Sequence, residues 1–139
     1  MDRDSVARIA LDVVDESGRR RKDDNSALLD GAQIWELIDG LDGLEVLEKN
    51  CAVLIDLAFY VQRWYPETVV IAEDLRLSAR EIEWHMSRLR GAADSGKLEK
   101  AFVSYAQPAI ATYYLMTRQV LTLYEKAKLP MLPELQRAI

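Results

Sequence analysis

Leu44-Glu-Val-Leu-Glu-Lys-Asn-Cys-Ala-Val-Leu-Ile-Asp-Leu-Ala-Phe-Tyr-Val-Gln-Arg-Trp-Tyr65 decides the fold class. Within it Leu47, Cys51, Leu54, Ala58, Val61 and Tyr65 recur in alternating steps of four and three. That spacing puts all six on one face of an α-helix, while Glu45, Lys49, Asp56 and Arg63 fall on the opposite side. A strand would need alternation in steps of two, which this stretch lacks.

The same period extends along the chain in both directions. Toward the C-terminus, about 97–128, Leu98, Phe102, Tyr105, Ala109, Tyr113, Met116, Val120 and Tyr124 form one stripe, and Val103, Ile110, Tyr114 and Leu121 widen it. An apolar arc this broad belongs at the centre of a bundle. Pro108 lies inside it and should kink the helix, because proline lacks an N–H and its ring crowds the preceding turn. Toward the N-terminus, Val6, Ile9, Ala10, Val13 and Val14 predict a helix over Asp4 to Glu16, ended by Gly18. Residues 19–25, Arg-Arg-Arg-Lys-Asp-Asp-Asn, read as a solvated linker. Ser26 is the expected N-cap of a second helix carrying Leu28, Leu29, Ile34, Trp35 and Ile38, which Gly40 and Gly43 should end.

Between the two long stripes, Pro66 should stop one helix or open the next. Residues 67–76 read as a short helix, since Ile71, Ala72 and Leu75 keep helical spacing, although Thr68-Val-Val-Ile71 favours strand locally. Ser78 and Glu81 have the spacing of a capping box, with Leu77 and Ile82 placed as its hydrophobic staple, so a separate helix is expected to start there. The expected fold is therefore all-α, a bundle of five to six helices in one domain spanning 1–139. Its two long central helices are expected at about 44–65 and 97–128, followed by a proline-containing tail at 129–139.

Bulk composition narrows the functional classes. Half the residues are apolar and 29% are charged, as in an ordinary packed domain. A lone cysteine, Cys51, excludes an internal disulfide framework and a multi-thiolate zinc site. The first residues lack the apolar run of a secretory signal, which leaves the cytoplasm as the expected compartment. Ala101–Thr117 is the longest uncharged stretch, but its Ser104, Gln107, Pro108, Thr112 and tyrosines suit a buried helix better than a membrane span. Net charge is −5. The acid concentrates in residues 27–77, with ten acidic against three basic groups. That field favours a basic protein partner over nucleic acid.

Searching for chemistry yields little. The nearest metal pair is Glu81 with His85, the only histidine, one turn apart. Glu36-x-x-Asp39 and Glu45-x-x-Glu48 resemble the magnesium-binding carboxylates of all-α nucleotide pyrophosphohydrolases. In that family, however, Glu-x-x-Glu comes first and the second pair sits on a later helix. No cofactor and no metal is expected. Arg80-Glu-Ile-Glu-Trp-His85 resembles the Arg, four residues, His signature of the HEPN ribonucleases, which would make Arg80 and His85 catalytic, converging across a dimer. Residues 70–90 are similar to a LuxR-type helix-turn-helix through Ile71-Ala72, Leu75, Ser78, Ile82, His85, Met86 and Leu89. That resemblance implies DNA contacts from Arg80, Trp84, Ser87 and Arg88. Against it, residues 66–97 hold six acidic and five basic groups, whereas DNA affinity rests on neutralising phosphates.

Three functional classes follow: a non-enzymatic protein-interaction or regulatory module, a DNA-binding regulator using residues 69–90, and a ribonuclease using Arg80 and His85. The first is the leading expectation, with a homodimer compatible with it. It requires an exposed apolar patch bordered by acidic groups.

Overall fold

The computed structural model describes residues 3–15, 19, 29–63 and 65–127. Among the described residues five α-helices follow one another: α1 (Arg3–Ala10), α2 (Gly31–Ile38), α3 (Gly40–Val61), α4 (Thr68–Asp94) and α5 (Leu98–Ala127). Among the described residues there is no extended strand. No helix there is long and apolar enough to cross a membrane.

Short connections between α3, α4 and α5 make consecutive helices antiparallel, and these three pack mutually as the central bundle, with α1 against α5 and α2 bridging α3 and α5. Of the stripe anticipated in α3, Leu47, Cys51, Leu54, Ala58 and Val61 do face inward, joined by Leu44, whereas α3 ends at Val61 and Tyr65 lies beyond it, exposed. α5 contributes Phe102, Ala109, Tyr113, Met116, Val120 and Tyr124 to the same interior. Polar atoms of the buried tyrosines are used. Tyr124 O–H donates to the Leu57 carbonyl at 2.9 Å, and Asn50 Nδ2 donates to Tyr113 Oη at 3.4 Å. At the rim, Arg90 of α4 reaches Glu48 of α3 at 2.6 Å, and the Arg76 guanidinium lies 4.7 Å above the Phe59 ring.

Several boundaries differ from the sequence expectations. α1 ends at Ala10 and not near Glu16: residues 11–13 form a turn, and Asp12 there is engaged by other elements. Its carboxylate accepts the Leu29 N–H at 3.3 Å and the Gln107 amide at 3.4 Å, tying the start of α2 and the middle of α5 together. Ser26 and Gly18, most of the 19–25 linker, and the 129–139 tail lie outside the described residues. The cap of α2 is Asp30, whose carboxylate accepts the Gln33 N–H while Gln33 Oε1 accepts the Asp30 N–H, a complete capping box. α2 ends one residue before Asp39, which takes a left-handed φ of 68°. Gly40 and Gly43 do not close α2. They open α3, which therefore starts four residues earlier than the periodicity suggested.

The largest correction concerns residues 67–94. No turn separates 67–76 from a second helix, because Thr68–Asp94 is one helix of 27 residues. Thr68, Ala72, Leu75, Ile82, Met86 and Leu89 line a single buried stripe through the expected break. Nothing between Thr68 and Arg90 is Gly or Pro, so the backbone has no reason to leave the helix. Serine and glutamate three apart are also ordinary helix residues, and Leu77 cannot staple Ile82: it points to solvent while Ile82 is buried. The two longest helices are consequently α4 and α5, with α3 third at 22 residues. α5 continues without interruption through Pro108.

Candidate interaction surface

Because α4 is one helix, its outward side is a single ruled surface. Val70, Leu77 and Trp84 follow one another at intervals of seven, hence nearly in line along the axis, and they are 67, 61 and 50% exposed. Their line lies opposite the buried stripe of Ala72, Leu75, Ile82 and Met86. On one flank stand Glu73 and Arg80, on the other Asp74, Glu81 and Arg88, all exposed. Trp84 is held in place by neighbours. Its ring meets those of His85 and Tyr105 at centroid distances of 5.2 and 5.7 Å, and the Arg88 guanidinium sits 4.9 Å above it. An aromatic ring fixed by such packing loses little further freedom when a partner covers it.

A second exposed line of this kind occurs on α3. Val46, Val53 and Tyr60 are again seven apart and 49, 51 and 41% exposed. The sequence draws attention to Trp84 as a DNA contact and gives no functional role to Val46, Val53, Val70 or Leu77. The interval of seven was readable in the sequence. What could not be read was which of several stripes the bundle leaves outside.

The residues singled out for catalysis are not brought together within one chain. Arg80 and His85, five positions apart, project roughly 140° from one another around α4. Arg80 is exposed, whereas the His85 side chain is 12% exposed and turns toward α5. His85 Nε2 lies 3.7 Å from Glu81 Oε1, and its Nδ1 is buried without a hydrogen-bond partner. Thr112 Oγ1 donates to the same Glu81 oxygen at 3.4 Å. A cavity of about 610 Å³ opens beside this pair, walled by Val14, Val103, Ala111 and Leu115. A larger groove of about 980 Å³ runs between α2 and the start of α5, lined by Trp35, Leu98, Phe102 and Val103. Trp35 packs edge-on against Phe102 there, 5.0 Å between centroids.

The residues singled out for DNA, Arg80, Trp84, Ser87 and Arg88, are all exposed on α4. They are interleaved with Glu81 and Glu83 and lie on one helix that no turn interrupts between Thr68 and Asp94. Among the described residues, no three His, Cys, Asp or Glu side chains gather closely enough to hold a metal ion. Of the carboxylates resembling a magnesium site, Glu48 is engaged by Arg90. Cys51 is buried in α3 and donates to the Leu47 carbonyl at 3.5 Å. Burial, reinforced by the charges of Glu48 and Glu83, pushes its thiol up to about 12, so it is no nucleophile at neutral pH.

No protein-family model matches this sequence, and no curated protein or solved structure matches it either.

Proposed function

We propose that the chain is a non-enzymatic protein-interaction module that engages an amphipathic helix of a partner along the outward face of α4. The observation carrying this reading is the exposed line of Val70, Leu77 and Trp84. Three large apolar side chains at one interval, on one straight helix, with charged flanks, form the pattern that a helix laid alongside can cover. Trp84 is the anchor: rings of this size, braced by neighbours, dominate the energetics of interfaces. On the flanks the acids Glu73, Asp74 and Glu81 outnumber Arg80 and Arg88, a small bias toward a partner with basic residues beside its apolar stripe.

The DNA-binding alternative draws on Arg80 and Arg88 of the same face, so one experiment addresses both. A photo-crosslinking amino acid is placed at Leu77 and, as control, at exposed Arg118 of α5, in cells of the source organism. Polypeptide adducts at position 77, absent at 118 and lost when Trp84→Glu is added, are expected. In parallel, a labelled DNA duplex is titrated with the pure chain at physiological salt, and no retardation is expected. Equal adduct yields at the two positions, or retardation abolished by Arg80→Glu with Arg88→Glu, would remove the proposal.

A further inference from the structure

We infer that two copies of this chain associate through α3, antiparallel, about a two-fold axis passing beside Val53. This rests on a different surface from the α4 reading and stands or falls without it.

The exposed line Val46, Val53, Tyr60 is accompanied on one flank by a second row at the same interval: Asp42, Lys49, Asp56 and Arg63. All four are exposed, and their charges alternate: minus, plus, minus, plus. Arg63, just past the last turn of α3, also lies over the Tyr60 ring, 5.6 Å from its centroid. None of the ion pairs among the described residues engages any of the four. Such a row changes sign when read backward. A two-fold axis perpendicular to an antiparallel pair brings each flank of a helix against the same flank of its copy. In that arrangement Lys49 meets Asp56 of the second copy and Asp42 meets its Arg63, and symmetry repeats both pairs. The same register seats Val53 against Val53 and Val46 against Tyr60. No like charges in the row are brought together. A parallel pairing would turn the row toward the opposite flank, where Asn50 and half-buried Leu57 offer no charge.

An unrelated partner would need the reverse pattern by coincidence; a second copy carries it by construction. Among the described residues, the packing of the bundle also leaves the Val46, Val53, Tyr60 line about half exposed. The α3 groups that contact α4, Glu48 and Phe59, lie roughly 130° around the helix from the Val53 line. The outward face of α4 therefore stays open in the pair. One helix per copy buries less than the roughly 800 Å² per partner of a standard interface, so the association should be concentration-dependent, with Kd on the order of 10–100 µM.

The test is sedimentation equilibrium of the full chain across about 1 µM to 1 mM at low salt, with circular dichroism of every variant to verify folding. A monomer–dimer equilibrium is expected, weakened by added salt because the row is exposed. Val53→Glu, which sets two carboxylates against each other at the axis, should leave only monomer. Lys49→Glu and Asp56→Lys should each raise Kd roughly tenfold or more. The double variant Lys49→Glu/Asp56→Lys should return Kd to near the parent value, as should mixing the two single variants one to one. Leu77→Glu on α4 should change nothing. A chain monomeric over the whole range overturns the proposal. So does a dimer indifferent to Val53→Glu, or one that the double exchange fails to restore.

Discussion

Replacing Gly43 with alanine tests the corner on which α2 and α3 are joined. The chain leaves α2 through Asp39 and Gly40, both with left-handed φ, 68° and 64°. α3 begins at once, Gly43 N–H donating to the Asp39 carbonyl at 3.2 Å as its first helical bond. A β-carbon on residue 43 would stand 1.5 Å from the Ile38 carbonyl oxygen and 2.7 Å from its carbon. These are backbone atoms, so no rotamer change relieves the overlap; α2 must move by about 2 Å to restore ordinary contact. Ile34 and Ile38 are fully buried beneath α2, and each contributes roughly 1.5–3 kcal/mol by burial. Lifting α2 should therefore cost about 3–6 kcal/mol. Urea unfolding followed by circular dichroism should show a midpoint lowered accordingly, and for a chain of this length Tm should fall by well over about 10 °C. Amide exchange should be accelerated most in α2, whose docking is lost, and less in α5. A Gly43→Ala protein within about 1 kcal/mol of the parent, with α2 amides still protected, would refute this account of the corner.

Gly91 gives the opposite expectation. It lies in α4, and nothing stands within 4 Å of where its β-carbon would be, so Gly91→Ala should stabilise by about 0.5–1 kcal/mol in the same urea titration. Tyr124→Phe removes the hydrogen bond to the Leu57 carbonyl and should cost about 0.5–1.5 kcal/mol without changing helix content. Stability should decline in alkali. The unfolded chain releases the Cys51 proton in the ordinary thiol range, near pH 9, while the folded chain retains it up to about 12. The native state thus holds more protons across that window, and unfolding becomes easier as pH rises, by up to about 1.4 kcal/mol per unit. Tyr113 and Tyr124, likewise raised by burial, act in the same direction. Cys51→Ala should flatten the pH dependence of Tm between about 9 and 10, leaving the tyrosine part above it. In the native parent, a thiol reagent at neutral pH should label Cys51 only at the rate of unfolding.

Helical periodicity carried the fold class because burying one face is the main requirement on each element, and the sequence encodes that face redundantly. α3 and α5 each present six or more inward apolar residues, and misjudging one changes nothing. Boundaries were less legible because capping residues are permissive. Ser78 with Glu81 could cap a helix or continue one, and the uninterrupted stripe from Ala72 to Leu89 settled it as a continuation. At the α2–α3 corner the sequence reading has Gly40 and Gly43 end α2, whereas both belong to the first turn of α3. Asp39 and Gly40 supply the left-handed residues, and Gly43 supplies room for the Ile38 carbonyl.

The candidate surface was hidden for a related reason. A stripe at intervals of seven on an isolated helix is equally compatible with facing in or facing out. On α3 the inward line of Leu47, Leu54 and Val61 and the outward line of Val46, Val53 and Tyr60 have identical spacing, offset by a single residue. What separates them is how many neighbours each acquires: the inward line is joined by Leu44, Cys51 and Ala58 into a broad arc, whereas the outward line stays one residue wide with charges beside it. A narrow line flanked by charge on one side is the signature of a seam between helices of different chains, and a broad arc that of a core. The width of the apolar arc, not its period, is therefore the quantity to read when a helical sequence offers two stripes. The Asp42, Lys49, Asp56, Arg63 row, which burial of α3 within its own bundle does not require, is the part of the proposed pairing that the sequence displays without coordinates.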